Sequence, residues 1–191
     1  MMAKTVHMKN LPVLSPSLRI FLDMVKEFPT KMITSSTHER FSIERYSKDH
    51  EQTIRLPDTG LSDALFCVET IPTDVSIGLY LLRVNADINA QTTIKILLDE
   101  GFLCVGFQGL AHIIDHDLNQ WHFEKWILAP HCKLEGVHDV FHHPAKGIPY
   151  FSKAVGYPSS TRKYVGRLSY SSHALDTIPK DRYLLFGKIA P

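Results

Sequence analysis

Little in this chain announces a chemistry. Its 191 residues hold three cysteines, Cys67, Cys104 and Cys132, with no CxxC pair. That count argues against a disulfide framework and for a reducing, intracellular setting; Cys67 and Cys104, set in apolar runs, read as buried thiols. No apolar run reaches the roughly 20 residues that a bilayer-spanning helix needs, so no transmembrane segment is expected. The opening MMAKTVHMKNLPVLSP lacks the continuous apolar core of a secretory signal, and residues 1–14 read as a flexible arm. There is no GxSxG elbow, no SxxK pair and no papain-like cysteine context. Gly101, Gly106 and Gly109 fit neither GxGxxG nor GxxxxGK[ST], so no phosphate-cradling loop is present. Internal repeats and low-complexity segments are also missing. The expectation from these absences is a protein without cofactor and without enzymatic activity.

What remains is an ordinary globular composition, 44% hydrophobic and 21% charged, long enough for one domain over residues 15–191. Ser15 and Pro16 open a helix whose apolar stripe is Leu18, Phe21, Leu22, Val25 and Phe28, ended by Pro29. Arg40–Tyr46 reads as a strand, Pro57–Gly60 as a turn and Ala64–Ile71 as an apolar run. Val75–Val84 is the clearest strand. Val75, Ile77, Leu79 and Leu81 lie on one face and Gly78, Tyr80 and Leu82 on the other, which suits a central strand buried on both sides. A second helix spans about Asn89–Glu100, capped by Asp87 or Asn89 and stopped by Gly101. Phe102–Phe107, Trp121–Leu128, Lys163–Tyr170 and Arg182–Ile189 read as further strands. The expected fold class is α+β: a mainly antiparallel β-sheet with two or more packed α-helices.

The polar residues are distributed unevenly. Seven of the eleven histidines fall between His112 and His143. His112 and His116 would share one face of a helix and, with Asp117 and His138 or Asp139, supply ligands for a metal that activates water. The zinc-protease signature needs Glu after the first histidine, where this chain has Ile113. That grouping defines a runner-up, a metal-dependent hydrolase or nuclease, while the leading expectation has no metal site. Histidines in such number can also act as a pH switch.

Residues 144–191 carry eight Lys or Arg against two Asp, a local charge of +6, so the rest carries −5 within the total of +1. Cations there alternate with Tyr150, Phe151, Tyr157, Tyr164 and Tyr170, the pattern by which charges meet phosphates while rings stack on bases. Lys153, Arg162, Lys163, Tyr164 and Arg167 are the residues expected to bind an anionic partner. Opposed charge on the two parts also favours head-to-tail contact between copies.

The stretch Val75–Leu110 carries a resemblance. A long strand ends in Arg83–Val84–Asn85, a polar turn and an amphipathic helix follow, and an apolar strand with glycines closes the unit. This order resembles the central domain of rhabdovirus matrix proteins. The resemblance covers about a fifth of the chain. Two features of that family differ: only Lys4 and Lys9 precede the first helix, and no PPxY motif is present. The resemblance implies a structural protein that self-associates as a homo-oligomer and bridges nucleoprotein or RNA to an anionic membrane. It would sit in the cytoplasm, or in a virion if viral. A third alternative is a small RNA-binding regulator of the silencing-suppressor kind.

Overall fold

The computed structural model describes residues 12–34, 41–56, 71–117, 126–130, 148–153, 166–171 and 176–190. Among them, helices cover both faces of a nine-stranded sheet, an α+β architecture. The sheet runs β1 (Leu22–Glu27), β4 (Ser76–Val84), β11 (Tyr183–Ile189), β7 (Ile127–Leu128), β8 (Ile148–Lys153), β9 (Gly166–Ser171) and β3 (Ile54–Arg55). Short strands β2 (Met32–Ile33) and β6 (Leu103–Cys104) join β4 and β11 respectively. A separate ribbon pairs β5 (Ile88–Asn89) with β10 (Thr177–Ile178). Most pairings are antiparallel, as expected, but β11–β7 and β3–β9 are parallel, so the sheet is mixed. No helix among the described residues is long and apolar enough to cross a membrane.

β4 organises the body. It lies between β1 and β11, and its alternation feeds two cores. Ile77, Leu79 and Leu81 enter the core beneath α2 (Ile43–Asp49) and α4 (Gly106–His116). Tyr80, Leu82 and Val84 enter the opposite core beneath α1 (Pro16–Arg19) and α3 (Ala90–Asp99). Each such fully buried aliphatic side chain contributes about 1.5–3 kcal/mol of transfer free energy. The predicted helix at 89–100 is α3. The Asn89 side chain accepts the Thr92 N–H at 2.9 Å. The other end closes with Gly101 N–H on the Leu98 carbonyl and Phe102 N–H on the Leu97 carbonyl, with Gly101 at φ +79°. That paired closure needs a left-handed residue, which glycine adopts without strain.

Four expectations are corrected. The first helix is a single turn: Ser15 does accept the Leu18 N–H, but the chain enters β1 at Leu22. A bulge at Val25 misled the periodicity, because the pairing with β4 jumps from Met24↔Leu82 to Lys26↔Leu81. One extra residue flips the alternation, so Leu22 enters the α3-side core and Phe28 the α4-side core. Apolar residues that look helically spaced thus lie on a bent strand.

Residues 43–46 are helical rather than extended. Ser42 caps α2 by accepting the Arg45 N–H at 3.1 Å, Glu44 occupies its first turn, and Ile43, Tyr46 and Ser47 form its buried face. Only Leu103–Cys104 of the predicted strand at 102–107 is extended; α4 starts at Gly106. Glycine permits this: a Cβ on Gly187 of β11 would lie 2.8 Å from Cγ1 of Val105, the N-cap of α4, and one on Gly109 of α4 would lie 3.4 Å from Leu185 Cδ2 of β11. The helix therefore packs hard on the sheet.

Cys104 is disulfide-bonded rather than a buried free thiol, with its partner outside the described residues. An odd cysteine count does not forbid one bridge beside one thiol, so the inference of a reducing compartment loses its basis. The turn at Pro57–Gly60, the run at 64–70, and residues 121–125 and 163–165 of two predicted strands lie outside the described residues. The rest of those two strands is found as β7 and β9. Leu14 is buried in the α3-side core.

Candidate functional site

Two groups of polar side chains qualify as candidates. The first lies on and around α4. His112 and His116 do share one helix face, with rings stacked 4.4 Å apart. A hydrogen bond from His116 Nδ1–H to the His112 carbonyl (3.0 Å) fixes one ring. His112 Nε2–H donates to the Thr30 carbonyl at 3.3 Å, tying α4 to the β1–β2 connection. Burial, and then the neighbouring His116, push the His112 imidazole below the usual histidine range.

The acids of the cluster turn elsewhere. Asp115 faces α2, accepting the Tyr46 hydroxyl at 2.9 Å and lying 3.3 Å from His50 Nε2. Tyr46 and His50 stack at 4.0 Å, and burial together with the Asp115 charge raises the Tyr46 phenol well above its ordinary value. Asp117 is 1% exposed; Oδ1 accepts the Thr30 hydroxyl at 3.0 Å, and Oδ2 is buried with no hydrogen-bond partner among the described residues. Burial lowers the Lys26 ammonium, an effect that the Asp117 charge opposes.

The His112–Asp117 run therefore divides three ways: histidines along one face, Asp115 toward α2, and Asp117 inward. Among the described residues no three His, Cys, Asp or Glu side chains are grouped to hold a metal ion. His138 and Asp139 lie outside those residues. Sequence reasoning missed Tyr46 and His50, because a strand over 40–46 hides their i, i+4 relation on α2. The Ser42 cap was the signal that would have revealed it.

The second group is the basic face. Of its expected members, Arg162, Lys163 and Tyr164 lie outside the described residues, and Lys153 is described only as a backbone position of β8. Arg167 projects from β9 and is exposed. Three of the interleaved aromatics serve the core: Phe151 and Tyr150 are buried, and Tyr170 packs against the α4-side core; Tyr157 and Tyr164 lie outside the described residues. Tyr150 stacks flat on Trp126 at 4.2 Å, with the Arg182 guanidinium 5.0 Å from the Trp126 ring. Lys188 sits over Phe102 and donates to the Glu100 carbonyl. Arg182 and Lys188 thus pack on rings, whereas Arg167 and Lys180 are exposed, Arg167 within the sheet and Lys180 in the turn before β11.

The neighbour of Arg167 is a residue that the sequence did not flag. Parallel pairing places Arg55 of β3 directly opposite Arg167 of β9, and Arg55 is exposed too. Among the described residues neither guanidinium has a hydrogen-bond or ion-pair partner. No family model matches this chain, and no curated protein or solved structure matches it either.

Proposed function

We propose that this chain is a non-enzymatic interaction protein that self-associates and binds the phosphate-bearing surface of RNA or a nucleoprotein. The observation that carries the reading is Arg167: an exposed guanidinium with no carboxylate partner among the described residues, on a sheet strand of the region with local charge +6. Cations held on a rigid element meet phosphates without first being ordered, so less conformational entropy opposes binding. An anionic membrane surface is the further partner that a matrix-like role brings, and the same cations would face it.

Self-association is supported by the opposed charge of the acidic and basic parts. Val13, Ile20, Phe21 and Ile33 are large apolar side chains left exposed, adding surface suited to contact between copies. Two measurements test the proposal. Light scattering at about 0.05 and 0.5 M salt shortens the Debye length from roughly 14 to 4 Å. Large species at the lower salt that dissolve at the higher are expected, and one size under both conditions would count against charge-driven assembly. Arg167→Glu should weaken single-stranded RNA binding at low salt, and unchanged affinity would remove β9 from the interface.

A further inference from the structure

Resting on that reading, we propose that Arg55 and Arg167 form a two-guanidinium clamp that holds one phosphate group of an RNA backbone. Arg55 belongs to the acidic part of the sequence and reaches the site only through the fold. After α2 the Thr53 and Ile54 N–H groups close on the His50 carbonyl at 3.0 and 2.9 Å, and the chain turns directly into β3. Parallel pairing then sets Arg55 opposite Arg167, and antiparallel pairing sets Ser152 of β8 opposite Arg167 from the other side. Directly opposed residues share a sheet face, so Ser152, Arg167 and Arg55 stand in one row across three strands. Their chain neighbours Phe151, Leu168 and Ile54 point the other way, into the α4-side core.

Adjacent strands are about 4.8 Å apart, so two long arginine side chains rising from opposed positions reach a common point above the sheet. Like charges placed this way repel in the free protein. Among the described residues no carboxylate offsets them. A phosphate removes that repulsion. Its two free oxygens accept from both planar forks, and the Ser152 hydroxyl on the same row is a third donor. Lysine at either position would supply the charge but not the fork.

The test uses the full chain and a labelled single-stranded RNA, titrated between about 50 and 200 mM salt. Wild type is compared with Arg55→Gln, Arg55→Lys, Arg167→Gln and the double glutamine variant. Each glutamine variant should bind more weakly, with a log–log salt slope shallower by about 0.7, the share of one single-strand phosphate contact. The double variant should lose little beyond either single change, because all three remove the same contact. Arg55→Lys should recover only part of the affinity. The melting temperature of Arg55→Gln should match or exceed that of wild type, since one of two repelling charges is gone; a lower value would assign Arg55 a structural role instead.

The clamp is overturned if Arg55→Gln binds with wild-type affinity and slope, or if the two single losses simply add. Should that happen while Arg167→Glu still weakens binding, the broader proposal stands without the clamp. If wild type binds no RNA, the clamp and the RNA part of that reading fail together. Arg55-dependent binding confined to phosphoinositide vesicles would move the phosphate from RNA to lipid and overturn the RNA assignment.

Discussion

Gly166 decides whether the β8–β9–β3 platform is built as described. It opens β9, lies in register with Ile54 of β3 and Lys153 of β8, and directly precedes Arg167. A Cβ at this position would lie 2.2 Å from Phe151 Cζ and 2.6 Å from the Ser152 carbonyl oxygen. Phe151 is fully buried and the carbonyl is backbone, so neither neighbour can swing aside. Overpacking of this kind costs about 1–3 kcal/mol, and a backbone clash belongs in the upper half of that range. Alanine recovers about 0.5–1 kcal/mol relative to glycine through the unfolded chain. The net destabilisation of Gly166→Ala is therefore about 1–2 kcal/mol, a melting temperature lower by roughly 2–8 °C for a chain of this length. Gly78→Ala is the internal control, because the three atoms nearest its new methyl all belong to the Tyr80 side chain, the hydroxyl oxygen first at 3.1 Å. Urea melts of both variants read the difference. If Gly166→Ala is as stable as wild type, Phe151 does not lie beneath β9, and the register that sets Ser152 opposite Arg167 fails with it.

Two further outcomes follow from the elements around α4 and α2. Folding holds His112 in its neutral form, because its folded-state value lies below the ordinary 6.5. Its contribution is thus complete above pH 6.5 and is lost as pH falls from there through the lowered folded value. Urea melts at about pH 7.5 and 5.5 should show a smaller acid loss for His112→Asn than for wild type, and an equal loss would contradict the burial of the His112 ring beside His116. Ser42→Ala should cost about 1 kcal/mol through loss of the α2 cap, seen as reduced stability to urea; no effect would favour an extended segment there.

What was legible in the sequence is what local pattern controls. β4 and β11 alternate or run apolar over seven or more residues, and α3 carries its own cap and its own glycine stop, so all three were found nearly to the residue. The first helix failed because a bulge imitates helical spacing: without the partner strand, nothing in Leu22–Phe28 tells a flipped alternation from a 3.6-residue period. α2 failed for the opposite reason, since Phe41, Ile43 and Arg45 alternate plausibly while the decisive Ser42 cap is a single residue.

The candidate site followed the same division. Arg167 was chosen because it lies in a basic stretch, a property that composition reveals. Arg55 was invisible, because its importance comes from a two-residue parallel pairing whose partner lies in the last third of the chain. Parallel neighbours require a crossover and leave no hairpin signal between them. A charge-based search over windows of sequence therefore finds half of such a pair and credits it to the wrong cause. The basic region contributes one guanidinium, and the fold draws the second from the segment that net charge would assign to the opposite surface. If the clamp holds, the acidic and basic parts are not simply complementary halves. They are joined within one molecule at β3–β9, and assembly between copies must use acidic residues other than those beside Arg55.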